Sequence, residues 1–446
     1  MEALERVASE VWGPVALAVF SLAGLYMTYV SGGIQFRRFG RCIGGTLKNM
    51  TRGGGQGGMS GFQALSTALG GTVGTGNVAG VTLALAMGGP GVLFWMWVSA
   101  FTGMATKYSE VLLAVKFRVR NAAGERAGGP MYYIRDGLSK AWRPLAYIFA
   151  LAGALAAFGM GSAVPSGEIR SALSTLCTEV NVNVGDDFPL AIGLVVAILA
   201  AAVLLGGASR LGSVTGLLVP FMSLAYIAAC VAVLCVNCDR ILPCIKEVIV
   251  SALEPGAALG ACAAWGFRRG TFSNEAGLGS SPMAHAASTE RDCVRQGMAG
   301  VFEVFADTIV ICTLTGLALL VTGVIGTGEP TTQLNVASFA GVFGGTASAA
   351  IIAVSIALFA FSSLLSWGFY GACCCEFLFG ARSLTVYRVL FCAAAVIGAV
   401  AKLDAVWLLS DVLNAFMAAP NLIALVALSG TVRRETRQHF NSKKGA

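Results

Sequence analysis

The sequence predicts an all-α membrane protein of about eleven spanning helices, one leading helix followed by two blocks of five that cross the bilayer in opposite senses. Three observations predict it: a composition too apolar for water, basic residues gathered in alternate loops, and an interrupted helix at the head of each block.

The chain has 446 residues, of which 56% are hydrophobic and 12% charged. A soluble domain is nearer ~45–50% apolar and ~25% charged, so a water-soluble fold this poor in charge could not cover its own surface. The 57 glycines fit the same picture, because Gly lets membrane helices approach closely. No polar run is long enough for a separate soluble domain. Most of the 13 cysteines sit in apolar runs such as Cys373 to Cys375, where Cys behaves as a small hydrophobe. Cys235 and Cys238 form a C-x-x-C with Cys244 nearby. Without a second pair or a His partner that spacing does not predict zinc, and a labile disulfide there stays open.

The elements follow in order. The first apolar run, about 11–31, comes after a weakly acidic start without a basic n-region and reads as a retained helix. Five segments follow at about 60–88, 91–115, 144–165, 187–206 and 213–237, then five more at about 256–288, 298–325, 346–378, 384–400 and 405–429. This divides the chain into 1–59 (first helix and basic loop), 60–237 (first block), 238–430 (second block) and 431–446 (basic tail).

Charge orients the spans. One set of loops carries Arg37, Arg38, Arg41, Lys48 and Arg52, then Lys116, Arg118, Arg120, Arg126, Arg135, Lys140 and Arg143, then Arg433, Arg434, Arg437, Lys443 and Lys444. Arg210, Arg291, Arg295 and Arg382 join them. The other set has Arg6, Arg170, Arg240, Lys246 and Lys402 diluted by Glu168, Glu179, Asp186, Asp187 and Asp239. The positive-inside rule then puts the N-terminus outside and the C-terminus in the cytoplasm of a multi-pass cell-membrane protein. The net charge of +7 is topological and needs no nucleic acid.

The first interruption runs from Gly61 to Asn77 and has glycines at 70, 71, 74 and 76 with Thr72 and Thr75 between them. Clustered glycines weaken a helix, and irregular backbone at membrane depth survives only against protein or a wet cavity. Such a break offers carbonyls to a cation and amides to a carboxylate. The second, Trp265 to Pro282, sets Arg268, Arg269 and Glu275 beside Ser273 and Asn274 inside an apolar stretch. Charge at that depth is functional by default and calls for a partner. Glu303 and Asp307, one turn apart, are candidates for Arg268 or Arg269; bracing of the fold is the alternative. Each break alone could be a Gly-rich packing face. Paired breaks at corresponding positions of two inverted halves point to the binding site of a secondary transporter.

These residues resemble the alanine or glycine:cation symporter family. The likeness lies in GTGN at Gly74–Asn77, GGPG at Gly88–Gly91, FWMW at Phe94–Trp97, MATKYSE at Met104–Glu110, the SNEAGLGS run after Arg268, Trp367 in FAFSSLLSWGFYG, and Ala419 to Leu422. It covers essentially the whole chain. The resemblance implies a LeuT-type fold, an extra first helix before a 5+5 inverted repeat, and sodium-coupled uptake of alanine or glycine. It places the substrate carboxylate at the amides of Gly74, Thr75 and Gly76, near Thr72 and Asn77. It places the ammonium at the second break near Ser273 and Asn274. It puts Na+ between the carbonyls of Gly70 and Val73 and the hydroxyls of Ser362 and Ser363, an oxygen set that suits a hard cation; back-bonding of both hydroxyls to their own helix is the other reading. Trp367 either walls the pocket or simply packs. Arg268, Arg269, Glu275 and Asp307 are the gating or ion-pair candidates. The third core helix departs from the family: its polar stretch reads Phe158-Gly159-Met160-Gly161-Ser162-Ala163-Val164-Pro165-Ser166-Gly167, with side-chain amides replaced at Ser162, Pro165 and Gly167. Phe158 and Gly161 stay as substrate-site candidates, but which small solute is carried stays open.

The rival classes are weaker. A channel needs a symmetric charged or carbonyl-lined pore. An enzyme needs a nucleophile or metal constellation, and His285 and His439 are the only histidines. The G-x-G at Gly74–Gly76 lacks the dinucleotide spacing, so no cofactor is expected beyond Na+ as coupling ion. A proton-coupled or sodium-independent carrier of another small solute and a transporter-like sensor are the remaining alternatives.

Overall fold

The computed structural model describes residues 10–50, 58–121, 124–254, 256, 260–326, 331–401 and 404–442. Arg6, Arg52, Lys402, Lys443 and Lys444 lie outside the described residues. Helices of ten residues or more are numbered in chain order. They are α1 (Pro14–Val30), α2 (Phe39–Met50), α3 (Gly61–Thr72), α4 (Ala79–Gly88), α5 (Val92–Lys116), α6 (Arg143–Ala156), α7 (Val164–Glu179), α8 (Phe188–Leu204) and α9 (Gly207–Val236). There follow α10 (Cys238–Leu253), α11 (Ala261–Asn274), α12 (Cys293–Val304), α13 (Thr313–Thr322), α14 (Thr331–Phe343), α15 (Gly345–Phe379), α16 (Leu384–Val400), α17 (Asp404–Ala427) and α18 (Ser429–Ser442). Two turns of π-helix, Ala157–Ala163 and Phe305–Cys312, join α6 to α7 and α12 to α13. A two-stranded hairpin, β1 (Val119–Arg120) with β2 (Arg126–Ala127), follows α5.

Among the described residues six helical stretches are long and apolar enough to cross a membrane, and a seventh if α3 and α4 form one span bent by 57°. α1 and α8 are apolar but shorter. The surface agrees: Leu217, Phe221, Leu224 and Val231 form an exposed apolar stripe along α9, as lipid-facing residues would. The chain is a multi-pass helical membrane protein. Helices α10 and α14 occupy stretches expected to be loops. α10 carries Asp239, Arg240 and Lys246 and has Pro243 inside it, a composition too polar for a span.

Two large apolar cores hold the bundle, one around Met27, Tyr108, Trp367 and Phe391, the other around Val81, Met96, Tyr226 and Phe359, and a small third one joins Trp12, Leu278 and Ala418. Close approach depends on Gly. A Cβ at Gly266 of α11 would lie 2.6 Å from the Val92 carbonyl oxygen of α5, and one at Gly398 of α16 would lie 2.2 Å from the Ala163 Cα. Backbone meets backbone there, the membrane packing mode in which dispersion replaces hydrophobic drive. All 13 cysteines are free, with Cys235 and Cys238 exposed and Cys244 buried.

Candidate functional site

The first break begins from a well-started helix. Ser60 caps α3: its hydroxyl accepts the Gln63 amide at 3.0 Å, and the Gln63 side chain accepts the Ser60 amide at 2.9 Å. Twelve residues later the ladder stops. Val73 leaves helical geometry at ψ 88°, Gly74 is extended, and Thr75–Asn77 form one 3₁₀ turn before α4. The second break follows α11. Glu275 takes a left-handed conformation at φ 51°, and Gly277 and Gly279 follow at φ 96° and 79°. The glycines adopt that region freely. A glutamate there costs about 1–3 kcal/mol and persists where its surroundings hold it. Trp367 Nε1 donates to its Oε1 at 2.9 Å, Ser280 donates to Oε2, and Lys107 Nζ donates to its carbonyl at 3.1 Å.

A polar layer ties the two breaks together. Asn77 Oδ1 accepts the Gly74 amide at 2.9 Å, and its Nδ2 donates to Asp307 Oδ1 at 2.6 Å. Ser273 and Thr308 hydroxyls donate to Asp307 Oδ2 at 2.8 and 2.7 Å. Asn274 reaches Thr308 at 3.3 Å and accepts the Ala276 amide at 3.0 Å. Asp307 and Thr308 sit on the π-turn, a geometry common at functional sites.

Where α15 crosses the first break, oxygens converge. Ser362 Oγ donates to the Gly70 carbonyl at 3.2 Å and also to Phe359 O of its own helix at 2.9 Å. Ser363 Oγ is buried with no hydrogen-bond partner, and a Cβ at Gly74 would lie 2.6 Å from it. An orphaned hydroxyl beside an unwound backbone fits oxygen ligation of a hard cation.

A cavity of about 570 Å³ runs along α4 and α11, lined by Thr75, Gly76, Gly80, Glu168, Arg268, Arg269 and Asp411 among others. The opposite halves of the broken helices are sealed. Lys107 on α5 donates to Ser281 at 2.7 Å and lies 3.5 Å from Glu303. His285 contacts Glu303 at 2.9 Å and Gln296 at 2.8 Å. Glu110 accepts the Gly277 amide at 3.0 Å and the Asn421 amide, and Tyr133 donates to Asn421. Arg118 holds the carbonyls of Ser288 and Glu290 at 2.8 and 2.6 Å.

The expected residues separate into groups. Thr75, Gly76, Arg268 and Arg269 line the cavity. Gly74, Asn77, Ser273, Asn274 and Asp307 form the polar layer, and the Gly74 amide is already bonded to Asn77. Thr72 bonds back to its own helix. Val73 ends α3 beside Gly74. Gly161 lets Trp367 approach, since a Cβ there would lie 2.4 Å from the Trp367 Cβ. Phe158 packs on Tyr387 and Phe391.

The ion pairs differ from expectation. Arg268 bonds Asp411 of α17 at 2.9 Å, and neither Glu303 nor Asp307 is within ion-pairing distance of either arginine. For Arg268 the physical reason is helix phase, since it precedes Ser273, the contact of Asp307, by five residues, about 140° around an α-helix; Arg269 shares the Ser273 face but its guanidinium is lodged against Gly76 and Gly80. Glu303 is engaged by Lys107 and His285 instead. Sequence reasoning missed Lys107, Glu110, His285, Asn421, Glu168 and Asp411. Lys107 and Glu110, three residues apart inside an apolar run, carried the available signal.

A helical membrane protein with two broken helices, a cavity on one side of them and a seal on the other is a secondary transporter by architecture. Two solved structures share the fold. That of MhsT in complex with L-phenylalanine matches with a TM-score of 0.57 at 10% identity, over 86% of this chain and 99% of that one. The Eremococcus coleocola manganese transporter matches with a TM-score of 0.54 at 14% identity, over 83% and 78%. Both are LeuT-fold transporters. The chain belongs to the sodium:alanine symporter family, whose model matches residues 1–446. Among its relatives, the sodium/alanine symporter AgcS of Methanococcus maripaludis is 41% identical, covering 99% of this chain and 97% of that one. The probable sodium/glutamine symporter GlnT of Bacillus subtilis is 32% identical, over 97% and 89%. Family and relatives are transporters, not enzymes.

Proposed function

We propose that this chain carries a small amino acid, alanine or glycine first, together with Na+ by alternating access. The observation that carries the reading is the orphaned Ser363 hydroxyl facing Gly74, beside the Ser362–Gly70 contact, at the point where the first core helix unwinds. Na+ would sit among the Gly70 and Val73 carbonyls and the Ser362 and Ser363 hydroxyls. The substrate carboxylate would meet the amides of Thr75 and Gly76, which open onto the cavity. Asn77 and Asp307 would couple the two, because the Asn77 side chain bonds both the break and the second block.

The reading includes eleven spans: α1, the bent pair α3–α4, α5, the continuous α6–α7, α8, α9, α11, the continuous α12–α13, α15, α16 and α17, with α10 and α14 lying outside the count. It includes the inverted five-helix blocks 60–237 and 238–430, flanked by 1–59 and the tail 431–446. With the N-terminus outside, the cavity faces outward and the Lys107 seal faces the cytoplasm, next to the basic loop of Arg118. Labelled alanine and glycine uptake into proteoliposomes, with and without an inward sodium gradient, tests it. Sodium-dependent accumulation is expected; no uptake of any small amino acid would overturn the reading, and equal uptake without sodium would overturn its coupling.

A second reading, proton coupling, is favoured by three buried carboxylates, Glu110, Glu275 and Glu303, gathered about Lys107 and His285. Uptake driven by a pH gradient in sodium-free vesicles would select it.

A further inference from the structure

The charged groups that line the cavity divide into one direct ion pair and two groups without one. Arg268 and Asp411 bond each other at 2.9 Å. Arg269 and Glu168 line the same cavity and have no ion-pair partner within 4.0 Å among the described residues. The Nε of Arg269 is buried with no hydrogen-bond partner.

The guanidinium is seated by two glycines. A Cβ at Gly76 would lie 2.3 Å from Arg269 Nη2, and one at Gly80 would lie 1.9 Å from its Cζ. The charge therefore rests against the backbone of the first break, beside Thr75 and Gly76. Glu168 comes from α7, one residue beyond the Ser162–Gly167 stretch, and its charge interacts with that of Arg269.

A guanidinium in such a place is costly until an anion joins it. Its planar donor fork matches a carboxylate with two parallel hydrogen bonds. Glu168, an acceptor only when ionised, matches an ammonium. A cation and an anion that line one cavity without a direct ion pair are the complement of a zwitterion.

We propose that Arg269 holds the carboxylate of the transported amino acid and that Glu168 receives its ammonium. Glu168 thereby replaces the side-chain amides absent at Pro165 and Gly167. This rests on the symporter reading above and names two recognition residues for it.

The test is binding to the purified full-length protein in sodium buffer, by displacement of labelled L-alanine. The competitors are alanine, alaninamide, which lacks the carboxylate, and propionate, which lacks the ammonium. Arg269→Gln is expected to weaken alanine by roughly 10–100-fold, the range for losing a hydrogen bond to a charged group, while alaninamide is unchanged. Glu168→Gln is expected to weaken alanine and alaninamide while propionate is unchanged. Arg269→Lys should recover part of the alanine affinity, and it carries the same comparison if Arg269→Gln does not fold. Retention of sodium-dependent thermal stabilisation shows that a variant is folded. Wild-type alanine affinity in both folded Arg269 variants overturns the proposal, as does an equal loss for alanine and alaninamide, which marks a gate or a brace. A wild-type protein that binds no amino acid overturns the symporter reading itself, and the wild-type arm shows this before any variant is made.

Discussion

The Asn77 side-chain amide donates to the Asp307 carboxylate at 2.6 Å, joining the first broken helix to the π-turn between α12 and α13, 230 residues away in sequence. The same side chain accepts the Gly74 amide. One residue therefore fixes the shape of the unwound backbone and its distance from the second block. Asn77→Asp would set two carboxylates in direct contact and remove the donor. Asn77→Ala would leave the Gly74 amide and one Asp307 oxygen without this partner, at about 1–3 kcal/mol per buried group. Both variants should lower the detergent melting temperature, and Asn77→Asp should abolish uptake. A fully active Asn77→Asp protein would show that the contact is dispensable.

The oxygen cluster at the first break predicts a graded effect on sodium. Ser363→Ala removes a hydroxyl with no protein partner, so the fold should keep its stability while the sodium concentration for half-maximal uptake rises by about tenfold, a single ion–dipole contact. Gly74→Ala drives a methyl to 2.6 Å from that hydroxyl and should be inactive. The double variant Gly74→Ala with Ser363→Gly opens the space again and should recover protein stability without recovering sodium affinity. Sodium titration of uptake and of melting temperature separates these outcomes.

Much of this architecture was legible in the sequence, and the limits have physical causes. The two breaks stood out because Gly and charge inside apolar runs contradict a simple span. Ser362 and Ser363 were reached through the family resemblance. The partners of Arg268 were not legible, since Asp411 is 143 residues away and only the packing of α17 brings it near. Asn421, bonded to Glu110 over 311 residues, had the same difficulty. Helices α10 and α14 look like loops in the sequence because they are too short or too polar to span a bilayer. The π-turns leave no mark in hydropathy at all.

Trp367 is buried at 2% exposure and donates its indole N–H to Glu275, the residue held at positive φ. Trp367→Phe keeps most of the ring and deletes that bond. The expected result is a modest loss of stability, about 1.5–3 kcal/mol for a bond to a charged acceptor, with a larger loss of uptake if Glu275 must keep its conformation for the second break to hold substrate. Gly161→Ala tests the same wall from behind: its methyl would meet the Trp367 Cβ at 2.4 Å and displace the ring. Uptake kinetics and tryptophan fluorescence of both variants report whether the ring has moved.

The seal beneath the breaks makes the strongest stability prediction. Lys107 is fully buried, 3.5 Å from Glu303 and 4.0 Å from Glu110. Removing one member of a buried pair leaves the other charge uncompensated, which costs about 3–5 kcal/mol. Lys107→Ala should therefore unfold readily in detergent or fail to accumulate in the membrane. Lys107→Met combined with Glu303→Gln removes both charges of the nearer pair and keeps the volume, and should restore part of the stability, with Glu110 left as the one carboxylate deprived of the ammonium. Transport should not return with it. The Lys107 ammonium also bonds the Glu275 carbonyl and Ser281, across the bend that has to rearrange if the sealed side is to open. A stable but inactive double variant would assign Lys107 to the opening step. A double variant that transports normally would reduce it to a brace.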